Sequence, residues 1–246
     1  MCWNAQVSIF SFFIILGVSY GLYTRNLYND RLLAFFIISY GSMQLCETFM
    51  WTGQSKKWQI LNIIGSIFAC LLLYFHPLAL MIGVKLDRLY QSIIETASYK
   101  ILFGLSGLFL LFGVYQIIYQ LFYISNKTQK YTFLAYPDKK TGHLIWSIPT
   151  KYNYTVLLSI IIAILIIAPL NNLFFTIFLC IYYLAPFYFI LIEDGNDIQT
   201  IFKLISGEFK NNDKYYGSYW CWIVAFFSFI MYLVNPYLQP IESDKL

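Results

Sequence analysis

Long apolar stretches separated by short polar connections dominate this chain and predict membrane-spanning helices. The hydrocarbon core of a bilayer is about 30 Å thick, so a helix that rises about 1.5 Å per residue crosses it in roughly 20 residues. Seven stretches approach this length: Val7–Tyr23, Leu32–Trp51, Ile60–Val84, Ile101–Ile124, Tyr152–Ala168, Leu173–Ile192 and Tyr216–Leu238. The pattern therefore predicts an all-α membrane protein, a seven-transmembrane-helix bundle in a single domain over residues 1–246, with its termini on opposite sides.

Two connections are predicted to have structure of their own. The segment Tyr131–Ile148, between the fourth and fifth stretches, has β-prone residues on either side of Pro137, Asp138 and Gly142. This pattern favours a β-hairpin that lies over the end of the bundle as a lid; the alternative is an irregular exposed loop. In Asp197–Phe209, apolar residues recur at helical spacing, which predicts an amphipathic helix in the membrane interface before the last stretch.

The basic residues beside the first stretch indicate the orientation of the bundle. No charged region precedes this stretch and no small-residue cleavage site follows it, so we interpret it as a retained signal-anchor. Arg25 and Arg31 come directly after it, which favours an N-terminus outside. Over all loops, ten Lys and Arg residues fall on the N-terminal side and six on the other, but part of that excess lies in the long fourth-to-fifth connection, whose middle counts for less.

Composition agrees with the membrane class and excludes other classes of protein. Hydrophobic residues make up 59% of the chain and charged residues only 11%, which is too little polar surface for a soluble globule of this length. The net charge of +4 comes from scattered loop lysines rather than from a basic stripe, so no nucleic-acid binding is expected. Five cysteines lack metal-ligand spacing and are predicted to be packing residues, with neither a metal nor a cofactor.

Two ionisable side chains inside the apolar stretches are the first candidates for function. They are Glu47, near the end of the second stretch, and His76, in the third. Such residues are costly in lipid and are often functional. The alternative for Glu47 is a shallow structural carboxylate that is hydrogen-bonded to Gln44 or to a neighbouring helix. Counting along the helices predicts His76 near the opposite surface, too far from Glu47 for an acid–base pair.

A set of polar and aromatic side chains is predicted at the level of Glu47. Around it the pattern predicts a ligand pocket, open to the N-terminal side or laterally to lipid. The alternative is that these amides only join helices through interhelical hydrogen bonds. The predicted ligand-binding set is Glu47, Gln44, Asn62, Gln116, Gln120, Trp51 and Trp220. Helix hinges are predicted at His76-Pro77 and Asn235-Pro236, where proline removes a backbone donor.

Two resemblances bear on this prediction. The sequence Asn-Pro-Tyr at 235–237 is similar to the last helix of rhodopsin-type receptors, but the seventh stretch contains no lysine for a retinal Schiff base. The start Met1-Cys2-Trp3 and the cluster of Gln44, Glu47 and Trp51 resemble uncharacterised multi-pass membrane proteins of large DNA viruses and algae. This second resemblance implies a host internal membrane or a virion membrane, and it implies no activity, substrate or cofactor.

Three classes of function follow from these patterns. The first is a receptor-like or sensor-like bundle that binds a small molecule or a lipid, with Glu47 opposite a polar or cationic head group. The second is a transporter or channel for protons, cations or small solutes. The third is an intramembrane enzyme, which we place last because the sequence offers no nucleophile–base pair and no phosphate loop. The predicted partners are the lipid bilayer and a small ligand.

Overall fold

The structure is a computed structural model that describes residues 4–27, 29–124, 133–137, 144–146, 152–167, 170 and 216–237. It is mostly helical. The α-helices are α1 (Ala5–Arg25), α2 (Asp30–Thr52), α3 (Gln59–Leu86), α4 (Gln91–Ile94), α5 (Ala97–Tyr119), α6 (Tyr152–Ile167) and α7 (Tyr216–Val234). Short 3₁₀ turns cover Lys56–Trp58, Arg88–Tyr90 and Asn235–Tyr237, and a π-helical turn, Gln120–Ile124, continues α5.

Four of the described helices are long and apolar enough to cross a membrane. They are Ala5–Arg25, Asp30–Thr52, Lys56–Leu86 and Ala97–Phe122, which match the first four predicted stretches. Helices α6 and α7 coincide with the fifth and seventh stretches, and their apolar described parts are shorter. The sixth stretch, Leu173–Ile192, and the interfacial helix predicted over Asp197–Phe209 lie outside the described residues. The helical class is confirmed and four candidate spans agree with a membrane protein, while the count of seven stays a prediction.

A tight turn joins α1 to α2. The Asn4 side chain begins α1 by accepting a hydrogen bond from the Val7 N–H at 2.9 Å. Asn26 ends α1 in the left-handed conformation (φ 52°), and its N–H donates to the Leu22 carbonyl. Asn29 is also left-handed (φ 54°), so the chain reverses within a few residues. The first two helices consequently run antiparallel and pack along each other.

Helices α2 and α3 form the centre of the bundle. Helix α2 packs against α1 and α3, α3 also packs against α5 and α6, and α7 packs against α1 and α2. The central pair is close because Gly65 faces the α2 backbone: a methyl group there would lie 2.6 Å from the Cys46 carbonyl oxygen and 3.0 Å from the Met50 nitrogen. Small residues allow this approach in membrane bundles, where packing rather than hydrophobic burial holds helices together.

The predicted hairpin is present as a two-stranded antiparallel sheet. Strand β1 (Tyr136–Pro137) pairs with β2 (Leu144–Ile145), with Tyr136 opposite Ile145 and Pro137 opposite Leu144. The alternative of an exposed loop does not hold here, because Phe133, Ala135 and Leu144 are buried. Phe133 joins an apolar cluster with Tyr74, Phe109 and Ile117, so this segment packs into the bundle. We call residues 133–137 and 144–146 the lid.

Candidate ligand site between the helices

Three polar side chains share one face of α2. Tyr40, Gln44 and Glu47 follow each other at intervals of four and three residues, which places them one above another on the helix. All three are buried, and Gln44 and Glu47 are fully inaccessible to solvent. Neighbouring helices thus cover the Glu47 carboxylate completely, and the choice between a ligand-binding and a structural Glu47 stays open.

The contacts of α3 define the depth of Glu47 in the bundle. Gly65 lies against the turn of α2 that runs from Cys46 to Met50 and contains Glu47. Asn62 instead lies against Gly53, just beyond the end of α2. Asn62 is thus about 5 Å, or one helical turn, nearer the membrane surface than Glu47, and not level with it as counting along the stretches predicted.

The Asn62 amide holds the lid by both of its polar groups. Its Nδ2 donates to the Ala135 carbonyl at 2.7 Å, and the Ala135 N–H donates to its Oδ1 at 2.8 Å. Gln54 Nε2 donates to the same carbonyl at 3.0 Å. The Ser66 hydroxyl donates to Asn62 Oδ1 at 3.4 Å from the next turn of α3. Asn62 is therefore the latch between α3 and the lid, a role that its position in the sequence did not indicate.

His76 lies inside the bundle and stacks on Tyr40. The ring centroids are 3.7 Å apart with an interplanar angle of 19°, and both rings are buried. Since Tyr40 is seven residues from Glu47, the stack lies about 10 Å from the carboxylate along α2. The predicted position of His76 near the opposite surface is therefore wrong. Pro77 is also buried, and α3 continues through it from Gln59 to Leu86.

The other predicted site residues are spread over several elements. Helix α5 packs on α3 with Gly113 against the Tyr74 ring, and Gln120 follows two turns later as a buried residue that opens the π-helical turn. Gln116 and Trp51 are half-buried. The side chain of Trp220 lies outside the described part of the structure. Turns of π-helix often occur at functional sites, which makes Gln120 the stronger candidate of the two α5 glutamines.

A charged network at the opposite end of the bundle was not predicted. Asp30 is fully buried and accepts hydrogen bonds from Arg25 Nε and Nη2 at 2.8 Å each, from the Leu27 N–H at 2.9 Å and from Asn235 Nδ2 at 2.7 Å. Arg25 Nη1 also donates to the Tyr232 carbonyl at 2.8 Å. Asn235, predicted as part of a hinge, is thus an anchor of the last helix, and Pro236 beside it is half-buried. The sequence did contain one signal for this network, which is the pair of opposite charges, Arg25 and Asp30, on either side of the α1–α2 turn.

A second acidic side chain lies beside this network. Asp87 accepts hydrogen bonds from the Leu89 N–H at 3.0 Å and from the Leu32 N–H at 3.4 Å, so it links the ends of α3 and α2. Burial raises the pKa of the Asp87 carboxyl, and the nearby charge of Asp30 raises it further, against the lowering effect of the backbone N–H groups. The Tyr90 hydroxyl donates to Asn29 Oδ1 across the same connection.

Among the described residues, no three His, Cys, Asp or Glu side chains come together in a way that could hold a metal ion. Cys46 and Cys70 are free and buried in the bundle.

Comparison of the chain with known proteins finds no matching family model, no matching curated protein and no matching solved structure. The placement of the polar side chains is therefore the basis for a functional proposal.

Proposed function

We propose that this protein is a seven-helix membrane bundle that binds a small molecule or lipid with a polar or cationic head group between its helices. The observation that carries the proposal is the complete burial of Glu47 on the same α2 face as Gln44. A carboxylate in a bilayer is costly enough that it usually serves a function and faces the interior of the bundle. In this proposal Glu47 is the counter-charge of the ligand, and Gln44 and Gln120 supply hydrogen bonds.

The lid supports a ligand site that opens and closes. Ala135 is held by Asn62 and Gln54 one turn above Glu47, on the side from which a ligand would enter. The described hydrogen bonds of this latch join neutral groups, so their release costs far less than the separation of a buried ion pair. We propose that the described conformation is the closed state and that ligand exchange requires release of Ala135.

The test is identification of small molecules that remain bound to the purified full-length protein, by native mass spectrometry. Wild type is compared with Glu47→Gln, which keeps the shape of the side chain and removes its charge. The control is Glu95→Gln, because Glu95 is exposed and faces Lys100 outside the bundle. We expect a stoichiometric ligand in wild type and in the control that is lost from Glu47→Gln. An empty wild type, or equal retention in both variants, would contradict the proposal.

The position of His76 favours transport as a second candidate function. The Tyr40–His76 stack brings another titratable group within about two to three turns of Glu47 inside the same bundle. A proton or cation that entered at the lid could then move inward through successive polar groups. Proton flux into liposomes tests this candidate: Glu47→Gln and His76→Gln should each abolish it, whereas Glu95→Gln should not. An intramembrane enzyme has no comparable observation in its favour.

The seventh helix and the cellular location are part of the same proposal. Helices α1, α2, α3 and α5 are candidate spans, α6 and α7 coincide with two further predicted stretches, and the proposal adds Leu173–Ile192 as the remaining apolar stretch. Residence in a host internal membrane or a virion membrane follows from the sequence resemblance alone and stays a prediction.

A further inference from the structure

Arg31, in the first turn of α2, has a charge that no ion pair neutralises among the described residues. Its Nη1 donates to the Leu86 carbonyl at 3.1 Å, and its guanidinium lies over the Tyr23 ring, 5.4 Å from the centroid. Its Nε is buried and has no hydrogen-bond partner in the part of the chain that the structure describes. An arginine presents five N–H donors in a planar fork, so this side chain retains donors for an anion.

The acidic side chains nearest to Arg31 are already engaged elsewhere. Asp30 is occupied by both nitrogens of Arg25 and by Asn235. Asp87 accepts from the backbone N–H groups of Leu89, Leu32 and Arg31, and not from the Arg31 guanidinium. Neither carboxylate lies within 4 Å of the Arg31 guanidinium. Arg25 and Arg31 therefore have different environments. The charge of Arg25 is neutralised by Asp30, whereas that of Arg31 has no ion-pair partner among the described residues.

Two further cations flank the carbonyl that Arg31 binds. Lys85 directly precedes Leu86, and Arg88 follows it after the buried Asp87; both cations are exposed and form no ion pair within the described ranges. Apolar surface continues from the same residues, because Leu86 and Leu89 are exposed large hydrophobic side chains. We call Arg31, Lys85 and Arg88, together with Leu86 and Leu89, the Arg31 surface.

We propose that the Arg31 surface binds the phosphate of an anionic phospholipid in the adjacent membrane leaflet. Arg31 would hold one phosphate oxygen through its free donors, and Lys85 and Arg88 would balance the remaining charge. A lipid rather than soluble phosphate fits because the cations lie at the ends of membrane spans, beside Leu86 and Leu89, which can contact acyl chains. Anionic lipids are concentrated in the cytoplasmic leaflet, which agrees with the predicted outside N-terminus.

The proposal is tested with full-length protein by titrating phosphatidylglycerol and phosphatidylcholine and measuring their retention by native mass spectrometry. Wild type should prefer phosphatidylglycerol. Each cation removed should weaken binding of this lipid by about fivefold, the effect typical of one Lys or Arg near a charged membrane surface, and leave phosphatidylcholine unchanged. The variants are Arg31→Gln and the double variant Lys85→Gln/Arg88→Gln. Lys85 and Arg88 are exposed, so the double variant should fold normally and tests the proposal even if Arg31→Gln does not fold.

The matched control is Lys56→Gln/Lys57→Gln, which removes two exposed charges at the other end of the bundle. This control should bind phosphatidylglycerol as wild type does. Equal affinity of wild type for the two lipids, or equal losses in the control and in Lys85→Gln/Arg88→Gln, would overturn the proposal. A third arm adds inorganic phosphate: displacement of phosphatidylglycerol by phosphate at similar concentrations would assign the surface to a soluble anion and also overturn it.

Discussion

Asn235 donates a hydrogen bond to Asp30 at 2.7 Å, although the two residues are 205 positions apart in the sequence. The contact joins the first turn of α2 to the end of the last described helix. Arg25 extends it to α1 and to the Tyr232 carbonyl, so three helix ends meet at one buried carboxylate. We therefore expect Asp30 to contribute strongly to the stability of this end of the bundle.

Removal of the Asp30 carboxylate should destabilise the protein strongly. We expect Asp30→Ala to lower the free energy of unfolding by about 3 to 5 kcal/mol, because it leaves the Arg25 guanidinium without its buried partner. Thermal unfolding in detergent, followed by circular dichroism, measures the effect. Glu95→Ala breaks an exposed ion pair of 3.5 Å and should leave the unfolding temperature almost unchanged. Similar shifts of the unfolding temperature in the two variants would show that the Asp30 network contributes no more to stability than an exposed ion pair does.

Substitution of Asn62 should release the lid without unfolding the bundle. Asn62→Ala removes both hydrogen bonds to Ala135, and we expect faster hydrogen–deuterium exchange in peptides that contain the Ala135 amide. Asn62→Asp keeps an acceptor for the Ala135 N–H and loses the donor to its carbonyl, so its exchange should be intermediate. Exchange as slow in Asn62→Ala as in wild type would mean that the Gln54 hydrogen bond to Ala135 and the packing of Phe133 and Leu144 are enough to hold the lid.

Two glycine-to-alanine substitutions should have opposite effects. Gly65→Ala must separate α2 from α3, because the added methyl group would lie 2.6 Å from the Cys46 carbonyl oxygen. At Gly104 the added methyl group would meet no atom of another described element within 4 Å, so Gly104→Ala should be tolerated and should gain up to about 1 kcal/mol from helix propensity. The unfolding temperature distinguishes the variants: a fall for position 65 and no fall for position 104 are expected, and a tolerated Gly65→Ala would contradict the close packing.

The stability contributed by Asp87 should depend on pH in a defined direction. Burial raises the pKa of its carboxyl in the folded state, so the folded protein binds this proton more tightly than the unfolded chain does. The contribution is fully present below the ordinary carboxyl pKa and is lost as pH rises through the raised one. The stability of wild type relative to Asp87→Asn should therefore fall as pH rises from acidic to neutral. A difference that is independent of pH would contradict the raised pKa.

The sequence was a good guide to the helices and a poor guide to their relative depths. Runs such as Leu32–Trp51 predict a span because length and hydropathy are local properties. The stacking of His76 on Tyr40 depends on the register between α2 and α3, which Gly65 sets by its close contact and which residue counting cannot supply. Asn62 was placed one turn too deep for the same reason. Its hydrogen bonds to Ala135 require a lid position that no local pattern encodes.

The Asp30 network was missed because its members lie at the ends of the apolar runs. Arg25 was used only to predict the orientation of the bundle. Asp30 was not considered because it precedes the apolar stretch that begins at Leu32. A charge pair of opposite sign across a short connection is a recognisable signal once the two helices are expected to form a hairpin. The third partner, Asn235, cannot be found in this way because its contact is entirely tertiary.

The short α1–α2 connection has a consequence for biosynthesis. Arg25 and Asp30 are five positions apart, so their ion pair can form as soon as the first two helices leave the ribosome. The hairpin would then enter the bilayer with its two charges already neutralised. Asn235 is synthesised near the end of translation, when Asp30 is already in place to accept its hydrogen bond. The early hairpin would then help to position the last described helix.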